Sequence, residues 1–362
     1  MRRIKVLVVD DSAFMRRMIS DILESDPGIE VVGRARNGQE ALAALTVLSP
    51  DVITMDVEMP VLDGLHALES IMKLRPTPVL MISSSTQAGA EATLRALQLG
   101  AVDFIAKPSG PISLDLGKLA EEIRQKVKLA AAAVLRTPSA PSPALKSREE
   151  TAEPPPAAPR QFERELQQLV VIGASTGGPR ALYEIIPALP KNFPAGILIV
   201  QHMPAGFTSS LAKRLDQSAA VRVKEAEDGD QVLPGVAYLA PGDYHLKVRA
   251  VDREGGRRQL RISLNQEPAV GGHRPSINVM FTSVAENFWS RTVAVLLTGM
   301  GSDGTEGMRL IKKCGGKTIA EDESSCIVYG IPRSAIEAGV VDKAVPLKQV
   351  AGEIIRAVSE RG

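Results

Sequence analysis

The sequence predicts two doubly wound α/β domains, each built on a parallel sheet, joined by a proline-rich linker. The chain has 362 residues, which is too long for one ordinary hydrophobic core. Short apolar runs alternate with segments of helical spacing in both halves, as in parallel α/β folds. Between them, residues 135–160 contain seven prolines and cannot bury a core, and loops of this length are uncommon inside one compact domain. The predicted boundaries are residues 1–127 for the first domain, 128–167 for the end of a helix and the linker, and 168–362 for the second domain.

In the first domain, five apolar runs predict strands and five amphipathic segments predict helices. Ser12 precedes the first helical segment and is a candidate N-cap. The predicted strands are Ile4–Val9, Val31–Arg34, Val52–Met55, Val79–Ile82 and Phe104–Ile105. The predicted helices are Ala13–Glu24, Gly38–Leu48, Gly64–Leu74, Glu91–Leu99 and Leu116–Ala133.

Polar residues follow the ends of four of these strands. Asp10 and Asp11 follow the first strand, Asp56 the third, Ser83 the fourth and Lys107 the fifth. In an open α/β sheet, ligands bind outside the carboxyl ends of the strands, so these side chains are expected to converge. Clustered carboxylates suit Mg²⁺, and the metal together with Lys107 could neutralise a phosphoryl group that Asp56 attacks. A lone Asp after a strand is more often a helix N-cap; the complete set in this order indicates phosphoryl chemistry.

This set resembles the receiver domain of two-component response regulators over about residues 1–125. The resemblance implies that Asp56 is the phosphoacceptor, that Asp10, Asp11 and Asp56 bind Mg²⁺, and that Ser83, Phe104 and Lys107 form the switch. Many receivers have Thr where this chain has Ser83, but the hydroxyl group is kept. The matching motifs are Asp10-Asp11, Met55-Asp56-Val57-Glu58-Met59-Pro60, Asp63-Gly64, Ser83 and Lys107-Pro108.

The second domain repeats the alternation with longer apolar runs, which are typical of strands buried on both faces. Residues 236–264 are rich in β-formers and glycine and predict a hairpin excursion from the sheet. The predicted strands are Leu169–Ile172, Gly196–Val200 and Thr292–Leu297, and the predicted helices include Arg180–Ala188 and Thr305–Cys314.

Three residues that could form a hydrolytic triad follow these strands. Ser175 lies in a Gly-rich turn of the form G-x-S-x-G between a strand and a helix, where free N–H groups can stabilise an oxyanion. His202 follows the second strand and Asp303 the third. Among the four histidines, topology favours His202 as the base over His66, His245 and His273. Alternatively, the Gly-rich turn binds an anion, His202 is a loop or capping residue, and Asp303 caps the following helix.

From about residue 168 to 362 the chain resembles the catalytic domain of chemotaxis protein-glutamate methylesterases. The resemblance implies that Ser175 is the nucleophile, His202 the general base, Asp303 its orienting carboxylate and the Met300 N–H an oxyanion donor, with no cofactor for hydrolysis. The matching motifs are Ile172-Gly173-Ala174-Ser175-Thr176-Gly177-Gly178, Gln201-His202-Met203-Pro204, His273-Arg274-Pro275-Ser276 and Thr298-Gly299-Met300-Gly301-Ser302-Asp303-Gly304.

The two resemblances together imply a phosphorylation-activated enzyme that demethylates glutamates and deamidates glutamines of chemoreceptors, with a chemotaxis histidine kinase as phosphodonor. Phosphorylation of Asp56 is expected to expose Ser175. Two alternatives stay open at this point: an esterase of the same fold that acts on another signalling protein, and a binding module without catalysis.

Composition indicates which partners and which cellular compartment such an enzyme has. The net charge is +1 and aromatic residues make up 3%, which argues against nucleic-acid binding. The sequence has no apolar run of the length that a membrane span requires. Its two cysteines fit reduced thiols better than a disulfide framework. We therefore expect a cytoplasmic monomer that does not insert into membranes.

Overall fold

A computed structural model describes residues 2–84, 86–107, 116–133, 166–252, 258–288 and 291–360. The chain divides into two compact units, Met1–Ser139 and Ala140–Gly362. The last helix of the first unit ends at Ala132, inside the segment 128–167 that is predicted to hold the end of this helix and the linker. Most of the predicted linker, residues 134–165, lies outside the described residues.

The first unit is a five-stranded parallel sheet with the strand order β2-β1-β3-β4-β5. From β1 the chain first adds β2 on one side of the sheet and then β3, β4 and β5 on the other side. The crevice between the carboxyl ends of β1 and β3 is therefore the expected ligand site. The strands are β1 Ile4–Val9, β2 Ile29–Ala35, β3 Val52–Asp56, β4 Val79–Ser83 and β5 Asp103–Ala106. The helices are α1 Ala13–Glu24, α2 Gly38–Leu48, α3 Gly64–Leu74, α4 Gln87–Leu99 and α5 Leu116–Ala132.

Side-chain caps fix where several of these helices begin. The Ser12 side chain accepts a hydrogen bond from Met15 N, as predicted, and Asp63 caps α3 in the same way. The start predicted for α4, at Glu91, is wrong by one turn. Thr86 Oγ1 accepts a hydrogen bond from Gly89 N at 3.1 Å, and this cap begins the helix at Gln87.

The second unit has a seven-stranded parallel sheet with the order β14-β13-β12-β6-β7-β9-β8. A short 3-10 helix, Ile186–Ala188, extends the first helix of this unit. The strands are β6 Gln168–Ala174, β7 Ala195–Gln201, β8 Arg222–Glu225, β9 Val236–Leu239, β10 His245–Asp252, β11 Arg258–Asn265, β12 Thr292–Leu296, β13 Lys317–Glu321 and β14 Lys343–Val345. The helices are α6 Gly178–Ile185, α7 Phe207–Ser218, α8 Ile277–Asn287, α9 Thr305–Lys313, α10 Ile331–Glu337 and α11 Leu347–Ser359.

The position of β6 in this sheet determines where a site can form. On one side of β6 lie β7, β9 and β8, in that spatial order. On the other side lie β12, β13 and β14, which come later in the chain. Residues of β6, β7 and β12 are all buried, because helices cover both faces of the sheet centre. The topological switch point is therefore beside β6, at the carboxyl ends of β6, β7 and β12.

The excursion predicted for residues 236–264 is only partly a hairpin. β10 and β11 form a two-stranded antiparallel ribbon, in which His245 pairs with Asn265. β9, at the start of this segment, instead joins the main sheet as a parallel strand next to β7. Leu246 and Ile262 of the ribbon pack into the same core as Phe281 of α8. Among the described helices, none is long and apolar enough to cross a membrane.

Candidate active site

In the first unit, the polar residues predicted at the strand ends meet in one cluster. Lys107 Nζ lies 2.6 Å from Asp56 Oδ2 and 3.2 Å from Asp10 Oδ2. Asp10, Asp11 and Asp56 each place a carboxylate oxygen within 4.8 Å of the others. Asp10 and Asp56 are buried, whereas Asp11 is exposed. The cluster thus has two buried carboxylates and one that is open to solvent.

The charges of this cluster are unbalanced and suit a divalent cation. Burial raises the pKa of Asp56 to about 6, although the ion pair with Lys107 acts against the shift. Asp10 Oδ2 has no aligned hydrogen-bond donor among the described residues. Three carboxylates face one ammonium group, and hard oxygen ligands of this kind fit Mg²⁺. The residues present therefore fit the metal that the sequence implies.

Two of the three predicted switch residues, Ser83 and Phe104, have defined partners outside the carboxylate cluster. Ser83, at the end of β4, donates a hydrogen bond from Oγ to Gly89 O at 3.1 Å. Phe104 in β5 is 3% exposed, and Lys126 Nζ lies 5.4 Å from its ring centroid. Ser83 is therefore bound to the first turn of α4, and Phe104 packs in the interior.

In the second unit, Ser175, His202 and Asp303 lie beyond the carboxyl ends of three adjacent strands. Ser175 follows β6, His202 follows β7 and Asp303 lies in the loop after β12. His202 Nε2 is 2.8 Å from Asp303 Oδ2, and both side chains are less than 10% exposed (7% and 8%). Ser175 stands three residues before α6, in the strand–turn–helix context that the sequence predicts. The structure thus brings all three residues to the switch point of the sheet.

The Asp303 carboxylate binds the first turn of α8, a partner that the sequence does not indicate. Oδ1 accepts hydrogen bonds from Ser276 Oγ at 2.9 Å and Asn278 N at 2.9 Å, and Oδ2 accepts one from Ile277 N at 2.7 Å as well as that from His202. The alternative that Asp303 caps α9 is wrong, because Gly304 is the N-cap there and no side chain caps that helix.

These hydrogen bonds keep the Asp303 carboxylate ionised in a buried site. Burial is the largest influence on its pKa and raises it, but the hydrogen bonds from His202, Asn278 and Ile277 outweigh burial and leave the pKa of Asp303 below its usual value. The positive end of the α8 dipole also favours the charged form. Asp303 is therefore an anion that can both orient His202 and compensate an imidazolium.

The His202 ring has one nitrogen committed to Asp303 and one available. Nδ1 is buried and has no hydrogen-bond partner among the described residues. By contrast, both ring nitrogens of His245 are engaged: Nδ1 accepts from Ser276 N at 3.2 Å, and Nε2 contacts Pro268 O at 3.2 Å. Of these two rings, His202 is the one with a nitrogen open to a proton from a neighbouring group.

Backbone and side-chain hydrogen bonds fasten the three loops to each other. Gln201 Nε2 donates to the carbonyls of Ser175 at 2.8 Å and His202 at 3.2 Å. Ser175 N donates to Thr298 O at 3.1 Å, and Thr298 Oγ1 donates to Thr176 O at 3.0 Å. The quoted sequence motifs contain Gln201 and Thr298, but only the folded structure reveals these contacts.

A buried carboxyl group, that of Glu321, holds the backbone of Thr298 in the loop after β12. Glu321, at the end of β13, is fully buried and accepts hydrogen bonds from Thr298 N and Ser325 Oγ, both at 2.9 Å. Burial raises the pKa of Glu321. In the sequence, the only signal for this residue is an acidic side chain at a strand end.

The loop after β12 also brings Gly299, the residue before the predicted oxyanion donor Met300, close to Ser175. Met300 lies between Gly299 and Gly301, and its N–H has no acceptor among the described residues. A Cβ on Gly299 would lie 2.6 Å from Ser175 Cβ and 2.8 Å from Ile331 Cδ1. The backbone of the loop can approach the serine this closely only because position 299 has no side chain.

Replacing Gly299 with alanine is expected to displace the Ser175 side chain and to lower hydrolysis far more than stability. Overpacking of this kind costs about 1–3 kcal/mol of folding free energy. A displacement of the nucleophile by about 1 Å can cost about 10²-fold in rate. The matched control is Gly352→Ala on α11, where an added Cβ meets no described atom within 4 Å. Equal hydrolysis rates for Gly299→Ala and Gly352→Ala would contradict the close contact.

Comparisons with known proteins agree with the geometry of both units. The CheB methylesterase family matches residues 170–354, and the response regulator receiver domain matches residues 6–116. A protein-glutamate methylesterase/protein-glutamine glutaminase of Syntrophomonas wolfei is 52% identical over 98% of this chain and 99% of its own length. Its counterpart in Pyrococcus abyssi is 49% identical over 99% of this chain and 94% of its own length.

A solved structure agrees as well. The crystal structure of the Thermotoga maritima CheB methylesterase catalytic domain is 48% identical in sequence, with a TM-score of 0.50. The matched region covers 52% of this chain and 97% of the Thermotoga maritima domain. The family match covers most of the second unit, and the two relatives match over at least 98% of this chain and 94% of their own length. This chain therefore belongs to the CheB methylesterase family and carries a response regulator receiver domain.

Proposed function

We propose that this chain is a receiver-regulated protein-glutamate methylesterase and protein-glutamine glutaminase, with methylated chemoreceptors as its substrates. The observation that carries the hydrolytic part is the buried 2.8 Å contact between His202 and Asp303 beside Ser175, at the switch point of the sheet. The names of the full-length relatives support the choice of glutamate esters and glutamine amides as substrates. Family membership favours this reading over an esterase for other signalling proteins and over a binding module.

The proposed reaction is acyl transfer through Ser175. Ser175 Oγ attacks the carbonyl carbon of the glutamate methyl ester, and His202 takes the hydroxyl proton. The tetrahedral oxyanion is stabilised by the N–H of Met300. The carbon–methoxy bond then breaks, the methoxy oxygen takes the proton from His202, and methanol leaves a glutamyl ester on Ser175.

Water completes the cycle by the same route. The oxygen of a water molecule attacks the acyl carbon while His202 takes a proton from that water. His202 then gives the proton to Ser175 Oγ as the ester bond to Ser175 breaks. The product is a glutamate carboxylate. With a glutamine substrate, ammonia leaves in the first step in place of methanol, and the second step is the same.

The charges of the site fit this sequence of proton transfers. The ionised Asp303 compensates the imidazolium that forms when His202 is protonated, and it holds Nε2 so that Nδ1 stays available. Such a carboxylate stabilises the transition state more than the resting state, because the positive charge exists only after the proton moves.

The receiver unit is proposed to control this reaction through phosphorylation of Asp56 by a chemotaxis histidine kinase. Asp10, Asp11 and Asp56 would hold Mg²⁺, which neutralises phosphate charge when bound. The phosphorylated form is expected to draw Ser83 Oγ from the Gly89 carbonyl toward the phosphate, which links the site to α4. Lys107, already 2.6 Å from Asp56, would pair with the same phosphate.

Replacing Asp56 with asparagine is expected to remove stimulation by an acyl-phosphate donor while leaving basal hydrolysis in place. The amide cannot form an acyl phosphate, and the triad lies in the other unit. Chelation of Mg²⁺ with EDTA is expected to abolish stimulation of the wild type in the same way. The measurement is methanol release with and without donor, with Asp21→Asn on the exposed face of α1 as control. Stimulation that persists in Asp56→Asn would rule out Asp56 as the acceptor.

The proposal extends to the setting of the enzyme. Chemoreceptors are the protein substrates, the kinase is the phosphodonor, and the protein acts as a monomer without binding nucleic acid. A cytoplasmic location accords with two cysteines that are both free thiols, Cys314 and Cys326. Sedimentation of the purified chain and fractionation of cells test these two points.

A further inference from the structure

A second imidazole lies flat against the proposed base. The rings of His273 and His202 are stacked with centroids 3.8 Å apart and planes 10° from parallel. We propose that His273 is a positioning residue that fixes the plane of the His202 ring and stabilises its imidazolium form through the aromatic face. This inference rests on the proposed function, because it takes His202 as the base for Ser175.

The backbone that carries His273 is a tight two-residue turn. Val270 and His273 exchange two backbone hydrogen bonds, of 3.1 and 3.0 Å. The central residues Gly271 and Gly272 have φ angles of +60° and +85°, a conformation that residues with side chains rarely adopt. The turn thus fixes the direction in which the His273 side chain leaves the chain.

The next residue anchors this turn to the body of the domain. Arg274 donates from Nε to Asp243 Oδ1 at 3.0 Å and from Nη1 to the carbonyls of Gln266 and Glu267, each at 3.1 Å. The backbone also contributes, because Asp243 N donates to Arg274 O at 3.1 Å. Several directional bonds from one guanidinium restrict the segment much more than apolar contact would.

One short segment therefore contacts both partners of the acid–base pair. His273 stacks on His202, and Ser276, three residues later, donates a hydrogen bond to Asp303 at 2.9 Å. Asp303 holds an edge of the imidazole, whereas His273 covers a face. An edge contact alone leaves the ring free to tilt about the hydrogen bond, and a stacked face removes that freedom.

The chemistry of stacked imidazoles favours the protonated state of His202 only when His273 is neutral. A cation over a neutral aromatic face is attracted by the ring electrons, and the attraction grows when the pair is shielded from water. His202 carries a proton only during the reaction, so this attraction acts mainly in the transition state. The required property of residue 273 is a flat aromatic face, and its ability to titrate is not required.

The test compares a side chain that keeps the flat face with one that does not. The variants are His273→Phe and His273→Leu in the full-length chain, with His66→Leu in the receiver unit as control. The first readout is the rate at which a fluorophosphonate probe labels Ser175, which reports activation of the serine without any receptor. The second is the separation of kcat from KM in methanol release from methylated receptor membranes.

We expect His273→Leu to lower both the labelling rate and kcat by about tenfold, in line with loss of a shielded cation–aromatic contact, with KM nearly unchanged. We expect His273→Phe and His66→Leu to stay within about threefold of the wild type, since the first keeps an aromatic face and the second lies outside the site. Equal rates for the leucine and phenylalanine variants would overturn the inference. A phenylalanine variant about tenfold slower than the wild type would also overturn it, and this result decides even if His273→Leu fails to fold.

The two readouts separate this inference from the proposed function. If the wild type is labelled but releases no methanol from receptors, the proposed substrate is wrong, and the labelling rates of the variants still decide the role of His273. If the wild type releases methanol but is not labelled, the kcat values of the variants decide the role of His273. If it is not labelled and releases no methanol, both are overturned.

Discussion

Replacement of Ser175 by alanine is expected to reduce methanol release by a factor on the order of 10⁴ to 10⁶, because loss of the nucleophile disables the triad as a unit. The fold should be retained, since Ser175 is held through its backbone: its N–H donates to Thr298 O and its carbonyl accepts from Gln201 Nε2. The residual rate would come from substrate binding and from the oxyanion site.

The measurement is steady-state methanol release at enzyme concentrations high enough to detect the residual rate. Ser359→Ala, an exposed serine at the end of α11, is the matched control and should behave as the wild type. Unchanged thermal unfolding in both variants would exclude a folding defect. A Ser175→Ala rate within tenfold of the wild type would mean that another group attacks the ester.

Changing Asp303 to asparagine is expected to lower kcat by about 10⁴-fold, the magnitude associated with loss of the orienting carboxylate in a triad. The Asp303 carboxylate accepts hydrogen bonds from four donors, which explains why an amide side chain cannot replace it. An asparagine NH₂ group would face either the Ser276 hydroxyl and Asn278 N, or Ile277 N and His202. In either orientation the imidazolium also loses its compensating negative charge.

The same substitution should also destabilise the domain. An N–H of the first turn of α8 that loses its acceptor costs about 1–3 kcal/mol when it is buried. Asp228→Asn is the control, because Asp228 likewise accepts a backbone hydrogen bond, from Leu264 N at 2.9 Å, but lies away from the site. Comparable kcat losses in the two variants, or a loss below tenfold in Asp303→Asn, would contradict the role proposed for Asp303.

Much of the fold could be predicted from the sequence because strands buried on both faces are continuous apolar runs. β6, β7 and β12 all have this character, and each is followed directly by a polar or Gly-rich segment. The rule that ligands bind at the carboxyl ends of parallel strands is then enough to group Ser175, His202 and Asp303 at one edge of the sheet. The same rule groups Asp10, Asp56 and Lys107 in the receiver unit.

The order of the strands could not be predicted, and neither could the contacts that depend on it. Nothing in the apolar runs indicates that β12, which lies over a hundred residues after β6, is its direct neighbour. The shorter strands β8, β13 and β14 carry too few apolar residues to be recognised by periodicity, and the residues of β9 favour a ribbon as much as a strand of the main sheet.

The partners of the site residues are also hidden from the sequence. An aspartate before a helical segment indicates a cap for that helix, yet Asp303 binds the N-terminus of α8 instead of α9. The role of Ser276 and the stacking of His273 on His202 depend on a loop that folds back from the β10–β11 ribbon. Such contacts are set by tertiary structure and leave no local pattern.

The central claim is tested most directly by methanol release from methylated chemoreceptor membranes, with Mg²⁺, in the presence and absence of an acyl-phosphate donor. Wild type is expected to release methanol faster with the donor. Ser175→Ala is expected to release almost none in either condition, and Asp56→Asn to release it at the basal rate in both. Absence of methanol release from the wild type in both conditions would contradict the account, because the paired His202 and Asp303 would then serve another substrate or none.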